Sequence, residues 1–398
     1  MPQREGGRNR SVPSGRPVTA VETFIEEMSV PSLMGWGGGL IGLALGYVAR
    51  ARRFCTLSAI ESALYGDSWV QARMWALAIA VAALGVHLLH AGGVIALTET
   101  FHLLPRIAWL GPLAGGVLFG LGMAAVGTCG FGALLRAAGG DLRAIVVLLV
   151  IAVSGYMTMR GLFGVARVAL VDAATIPLSA GWDASAAALL GWITGADGPV
   201  ARLPLAALLA LALAAWAFRD RTFRANAAAW ASALAVGLLV TGGWALTGTL
   251  GADPFDPQAL ISLRFIAPLG ESLVYLMTYT GAVIDFGIAS IFGVLLGGYL
   301  AALRHGECRL EAFDDAREMR RHLIGGVFMG VGGVTAMGCT IGQGITGVST
   351  LALPSFLALG GIVLGAVGGL KLLMLGGLSV PFATALRGLR DSLRGPQL

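Results

Sequence analysis

Charged residues are scarce in this sequence. Asp, Glu, Lys and Arg make up 12% of the 398 residues, where soluble domains carry about 25%, and Lys371 is the only lysine. Hydrophobic residues make up 56%, and the mean hydropathy is +0.80. Because ~20 apolar residues cross ~30 Å of hydrocarbon, the long charge-free runs predict an all-α polytopic membrane protein in a lipid bilayer.

Charged breaks divide the chain into about nine predicted transmembrane helices. The predicted spans are 33–49, 70–98, 108–135, 143–160, 203–218, 226–247, 271–303, 322–340 and 355–376. Under this count the arginine-rich loops fall on one side, and positive loops stay cytoplasmic. The sequence therefore predicts an outer N-terminus and a cytoplasmic C-terminus. It also predicts a polar, disordered tail over 1–30, a transmembrane domain over 31–380 and a cytoplasmic tail over 381–398.

The sequence also lacks the cysteine spacings of redox and metal sites. It has four cysteines, Cys55, Cys129, Cys308 and Cys339, with no CxxC pair and no zinc-like spacing. This pattern predicts no disulfide framework, no metal and no cofactor, and it argues against an enzyme. The arginines lie in short patches between spans, which favours topology signals over nucleic-acid binding.

A repeat relates the two halves of the chain. The segment "LFGLGMAAVGTCGFGALLRA" aligns with "FMGVGGVTAMGCTIGQGITG", so that Gly120 and Cys129 match Gly330 and Cys339. Upstream, "GLALGYVARARRFC" resembles "GVLLGGYLAALRHGEC". The first copy has a predicted crossing, 70–98, between its two motifs, whereas the second has only the charged loop Glu311–Arg321, and this difference makes the two cysteine segments enter from opposite sides. Such inverted repeats build the central sites of many transporters. We expect repeat one over about 36–160 and repeat two over about 271–376.

The charge-free stretch 323–370 is too long for one crossing. As a straight helix it would measure about 70 Å, so the chain must break, and "GCTIGQG" is where glycine permits a break. Broken helices survive in a membrane only inside protein or along a water-filled cavity, and their N-terminal ends attract anions. The predicted supporting residues of a central substrate path are Gly130, Gly132, Thr340, Gly342, Gln343 and Gly344.

Thiols beside glycine amides suit a soft sulfur anion. A buried thiol stays protonated and is a weak hydrogen-bond donor, and weak contacts suit a path that must release what it holds. Asp285 is the only acid in the predicted span 271–303. Its position is consistent with proton coupling, with pairing to a neighbouring helix or with a helix break.

Three motifs resemble the YeeE/YedE family of sulfur-compound transporters: "RRFC", the glycine-rich run ending in "GTCGFG", and "GCTIGQGITGVSTLALPSFLA". The resemblance implies inner-membrane uptake of thiosulfate through an hourglass-shaped inverted repeat. It implies that Cys55, Cys129 and Cys339 line the path and pass the ion by transient S–H···S contacts, and that Cys308 is incidental. The family often works with a TusA-like cytosolic sulfur carrier bearing CPxP. No CPxP occurs here, so any such partner is a separate protein.

Three other functions fit parts of the pattern. Some family members are associated with selenium compounds. A membrane thiol-disulfide oxidoreductase would use the same cysteines, but it needs a bridging pair and a nearby base. A general small-anion channel would tolerate loss of the thiols.

Overall fold

The computed structural model describes residues 30–179, 182–194, 198–252, 257–281 and 283–375, and these residues are almost entirely helical. The helices are α1 (Val30–Ala51), α2 (Thr56–Tyr65), α3 (Val70–Ala91), α4 (Leu110–Val126), α5 (Gly130–Ala138), α6 (Leu142–Arg160), α7 (Leu162–Arg167), α8 (Ala186–Thr194), α9 (Gly198–Phe218), α10 (Arg221–Ala225), α11 (Ala227–Leu250), α12 (Ile266–Met277), α13 (Phe286–His305), α14 (Ala316–Thr335) and α15 (Leu353–Met374). Residues 340–349 form a further short helix, the 340–349 helix, in which Gly342–Gly347 is a π-helix.

The prediction of an all-α polytopic membrane protein is confirmed. Within the described residues, eight helical segments are long and apolar enough to span a membrane. The predicted span 322–340 corresponds to α14, which begins in charged sequence and ends at Thr335. The prediction of one helix over 271–303 is wrong: α12 ends at Met277, and α13 begins at Phe286. Asp285 caps α13 by accepting a 2.7 Å hydrogen bond from the Ile288 amide, so it lies at a helix break.

Small residues let the long helices pack in close pairs. A Cβ on Gly46 of α1 would lie 2.8 Å from the Val294 Cα of α13, and one on Gly297 would lie 2.8 Å from the Leu43 carbonyl carbon. The same kind of contact joins α4 to α14 and α15. Backbones this close are typical of helix pairs in membranes. Because the hydrophobic effect does not drive helix association in lipid, small residues that permit close van der Waals packing take on that role.

The charge-free stretch breaks twice, and both breaks use left-handed backbone. Met337 has φ 59° and Leu351 has φ 59°, and these residues flank the 340–349 helix. The break therefore precedes Cys339, whereas the sequence placed it within "GCTIGQG", where Gly342 and Gly344 are in fact π-helical. A non-glycine residue in this conformation costs roughly 1–3 kcal/mol, which the surrounding packing must offset.

Short elements connect the two halves. Strands β1 (Arg106–Ala108) and β2 (Thr175–Pro177) pair antiparallel, with Ile107 opposite Ile176. Helix α8 also lies in this connecting region, and Ser185 just before it forms a backbone bridge with Ala352. The predicted tail 1–30, apart from Val30, and the predicted tail 381–398 lie outside the described residues.

The order of long and short helices is the same in both halves. In the first half, α1 to α6 run long, short, long, long, short, long. The second half has the same order of long and short helices, in α11, α12, α13, α14, the 340–349 helix and α15. Each half therefore contributes four long helices and two short ones.

Candidate functional site

Each of the three motif cysteines begins a short helix. Cys55 is the N-cap of α2, Cys129 is the N-cap of α5, and Cys339 directly precedes the 340–349 helix. Two residues before each cysteine, the backbone is left-handed, at Arg53, Gly127 and Met337. At each of the three cysteines, the chain thus turns sharply and then starts a helix.

The thiol sulfurs of Cys129 and Cys339 act as N-cap acceptors. The Gly132 amide donates to Cys129 Sγ at 3.3 Å, and the Gly342 amide donates to Cys339 Sγ at 3.5 Å. Helix N-caps commonly accept from the third helical residue, although oxygen is the usual acceptor. With the sulfur accepting from its own helix, each S–H remains available to donate elsewhere.

The structure brings the three cysteine segments together. The Cys55 and Cys129 side chains interact, and Cys129 also interacts with the Thr340 side chain, next to Cys339. Cys129 and Cys339 are buried, with 1% and 0% of their surface exposed, whereas Cys55 is half-buried. All four cysteines are free thiols. Cys308 lies apart from this group, in an exposed loop.

A fourth short helix, α12, completes the site. The Phe265 backbone, at the N-cap of α12, lies within hydrogen-bonding range of the Cys339 thiol. The rings of Phe265 and Phe131 lie 4.9 Å apart, which joins the start of α12 to the start of α5. The N-terminal ends of four short helices therefore meet at the cysteines. Each end carries a partial positive charge, and an anion between them would be stabilised.

Most polar side chains after Cys339 are engaged inside the protein. Gln343 Nε2 donates to the Ala336 carbonyl at 2.8 Å, and Gln343 Oε1 accepts from Ser355 at 2.5 Å. Thr346 donates to the Leu263 carbonyl at 2.8 Å. These bonds hold the helix break in place. Thr340 differs from them, because its buried hydroxyl makes no hydrogen bond of normal geometry among the described residues and has the Cys129 thiol as its polar neighbour.

Two cavities approach the site from opposite ends of α4. The first, the arginine cavity, has a volume of about 590 Å³, and its lining includes Cys55, Thr128, Arg50, Arg53, Arg136 and Arg309. The second, the histidine cavity, has a volume of about 100 Å³, and its lining includes Phe101, His102, Arg106, Gly111, Arg167 and Met337. Gly111 begins and Thr128 follows this 17-residue helix, so about 25 Å separates the two ends. The buried thiols of Cys129 and Cys339 lie between the cavities.

Acidic side chains partly neutralise the arginine cavity. Glu307 pairs with Arg50 at 3.3 Å and with Arg53 at 3.5 Å. Arg136 donates to the Gly127 carbonyl at 3.3 Å, beside the turn that leads to Cys129. The arginines therefore also fix the loops that carry the thiols. Among the described residues, no group of three or more His, Cys, Asp or Glu side chains is arranged to hold a metal ion.

Comparison with known proteins decides the family. Residues 51–368 match the family described as Sulphur transport. The chain belongs to this family. It is 29% identical over 336 residues to the thiosulfate transporter TsuA of Spirochaeta thermophila, covering 82% of this chain and 94% of that protein. It is 26% identical over 345 residues to TsuA of Escherichia coli, covering 82% and 91%.

Membership of the sulphur transport family confirms the predicted resemblance and a transport role in place of an enzymatic one. The matched range contains all three motif cysteines and all four short helices. The sequence motifs singled out the three cysteines that precede α2, α5 and the 340–349 helix, without predicting that a helix starts at each. They missed the start of α12, where the available signal was Arg264, the only charged residue in 257–270.

Proposed function

We propose that this protein takes up thiosulfate, or a closely related sulfur anion, across the bacterial inner membrane. The observation that carries the proposal is a series of neighbouring side chains. It runs from Cys55, which lines the arginine cavity, through Cys129 to Thr340 and Cys339, two residues after Met337 of the histidine cavity. The names of the two relatives support thiosulfate as the substrate.

The thiols act as hydrogen-bond donors to the terminal sulfur of the anion. Because Gly132 and Gly342 donate to the sulfurs of Cys129 and Cys339, the S–H protons face away from their own helices. Each contact is weak, so the ion is handed from one thiol to the next without being trapped. The positive ends of the four short helices lower the energy of the anion where water is excluded. Gly132 and Gly342 leave room beside the thiols, because a Cβ at these positions would lie 3.6 Å from Cys129 Sγ and 3.9 Å from Cys339 Sγ. Gly130 and Gly344 face apolar side chains instead, and Gln343 holds the break.

The topology that fits this function has nine crossings and an inverted repeat. If the four short helices turn back within the membrane, each half crosses four times, and α9 crosses once between them. The second half then starts on the opposite side from the first. The arginine cavity faces the cytoplasm under the positive-inside rule, as does the C-terminus, and the histidine cavity faces outward. A separate TusA-like sulfur carrier would receive the imported anion at the arginine cavity.

The test is uptake of labelled thiosulfate into a bacterial strain that lacks its other sulfur importers. Expression of this protein should restore uptake. Cys55→Ala, Cys129→Ala and Cys339→Ala should each reduce it at least tenfold, because each removes one donor from the series. Cys308→Ala is the matched control and should transport normally, since this exposed residue lies apart from the other thiols. Wild-type uptake by Cys339→Ala would exclude the relay.

The same assay separates the alternatives. A selenium transporter would show stronger competition from selenite than from unlabelled thiosulfate. A small-anion channel would keep its flux after each cysteine is replaced. A thiol-disulfide oxidoreductase would form a Cys55–Cys129 disulfide during turnover, visible by mass analysis, whereas transport by hydrogen bonding leaves three free thiols.

A further inference from the structure

Arg264 is a cation placed between the histidine cavity and Cys339. A Cβ added to Gly342 would lie 3.2 Å from Arg264 Cβ and 3.9 Å from Cys339 Sγ. Arg264 therefore packs on the helical turn that Cys339 caps. Its guanidinium carbon lies 5.5 Å from the centroid of the Phe101 ring, and Phe101 lines the histidine cavity. The side chain thus runs from the thiol site towards this cavity.

Other sheltered arginines contact an acidic partner, whereas Arg264 contacts none among the described residues; the carboxylate of Glu271 on α12 lies within electrostatic range of it but forms no ion pair with it. Arg73 pairs with Asp220, Arg202 pairs with Asp183, and Arg167 pairs with Asp172 at 2.9 Å. In the part of the chain that the structure describes, Arg264 has no ion pair and no hydrogen bond, and its Nε is buried. A sheltered, unpaired charge is costly, and a bound anion would offset that cost.

A second unpartnered polar group lies beside it. His102 is 4% exposed and lines the histidine cavity, and its Nδ1 has no hydrogen-bond partner among the described residues. Burial, with the positive charge of Arg264 as a smaller cause, lowers the pKa of His102 to about 3. The imidazole is therefore neutral at neutral pH. It adds no positive charge beside Arg264, the cation that packs on the turn begun by Cys339.

We infer that Arg264 binds the oxygen end of the sulfur anion as it leaves the histidine cavity, while the terminal sulfur faces the Cys339 thiol. A guanidinium matches oxyanion oxygens with two parallel hydrogen bonds, and a thiol suits the softer sulfur. Together, the guanidinium and the thiol select an ion that carries oxyanion oxygens at one end and a terminal sulfur at the other. This inference rests on the proposed function, and it makes Arg264 the residue that selects a negatively charged substrate.

Substitution of Arg264 should change substrate affinity. We expect Arg264→Gln to raise the KM for thiosulfate uptake about tenfold or more, as loss of a charge-assisted hydrogen bond does. Arg264→Lys keeps the charge but loses the fork, and its KM should rise less. The matched control is Arg167→Gln: Arg167 lines the histidine cavity but is already paired with Asp172, and the KM of this variant should change less than about threefold. An unchanged KM in both Arg264 variants would overturn the inference.

A second measurement does not depend on thiosulfate transport. With the four native cysteines replaced by Ala, Met337→Cys places a reporter thiol in the lining of the histidine cavity. An anionic methanethiosulfonate reagent should modify it faster than a cationic one, and Arg264→Gln should reduce this ratio at least threefold while Arg264→Lys preserves it. An equal ratio in all three proteins would contradict the inference.

The two measurements separate the two ideas. Absence of thiosulfate uptake by the wild type would refute the proposed function. The labelling ratio would then be the remaining test of whether Arg264 attracts anions. Uptake that requires Cys339 but not Arg264 would uphold the function and refute this inference. If Arg264→Gln does not accumulate in the membrane, Arg264→Lys decides: a KM equal to the wild type would exclude the bidentate contact.

Discussion

At the residue scale, the decisive feature is the direction of each thiol proton. Cys129 Sγ and Cys339 Sγ each accept a hydrogen bond from the amide three residues later. The N-cap bond uses a lone pair of sulfur and leaves the S–H free. In the proposed relay the cysteine therefore both starts a helix and offers a donor to the anion, which alanine cannot do.

Serine should replace these thiols in part. We expect Cys129→Ser and Cys339→Ser to keep between about one tenth and one half of wild-type uptake, because a hydroxyl caps a helix at least as well as a thiol and still donates. The shorter O–H bond and harder oxygen should weaken contact with the terminal sulfur. The measurement is initial uptake rate, normalised to protein in the membrane, for the Ser and Ala variants at each position.

Cys308→Ser serves as the control for this series and should match the wild type. Serine variants as inactive as the alanine variants would mean that sulfur itself, not hydrogen-bond donation, is required.

At the element scale, the long helices depend on glycines that face a neighbour. Gly360 and Gly361 are adjacent in α15. A Cβ on Gly361 would lie 2.5 Å from the Leu113 carbonyl oxygen of α4, whereas a Cβ on Gly360 would meet nothing within 4 Å. The two positions therefore form a matched pair for testing how closely the helices pack.

We expect Gly361→Ala to destabilise the protein by about 1–3 kcal/mol, since α4 and α15 must separate to admit the methyl group. Gly360→Ala should leave stability unchanged or raise it slightly, because alanine favours the helix. Thermal unfolding of the two purified variants in detergent provides the comparison. Equal midpoints would show that α4 and α15 pack less closely than the structure has them.

The sequence predicted the helical fold and singled out three cysteines because glycine, cysteine and charge-free runs are local signals, but it did not predict that each cysteine starts a helix. It did not predict the break at Met337, since a left-handed methionine is imposed by tertiary packing and has no sequence signature. It joined α12 and α13 into one span because both are apolar and only Asp285 marks the gap. It missed Arg264 because the residue acquires its meaning from Gly342 and Phe101, which are distant in sequence.

At the scale of the whole molecule, the two cavities differ in how many charged side chains line them. The arginine cavity is lined by four arginines (Arg50, Arg53, Arg136 and Arg309) and two glutamates, whereas the histidine cavity is lined by two arginines and one aspartate. A positive vestibule on the cytoplasmic side would attract the anion after release and keep the loops from crossing the membrane. The same asymmetry gives the proposed orientation a direct test through Cys308, which is exposed and lies between Glu307 and Arg309 of this cavity.

Cys308 should react with a membrane-impermeant maleimide only from the cytoplasmic side. We expect labelling in inside-out vesicles and none in intact cells, and Cys308→Ala should abolish the signal. For the opposite face, Ile176→Cys in the Cys308→Ala background should label in intact cells, because Ile176 is 54% exposed on β2 and Thr175 beside it lines the histidine cavity. The reverse labelling pattern would mean that the protein has the opposite orientation in the membrane. The arginine cavity would then face outward, and the anion would meet Cys55 first and leave Arg264 last.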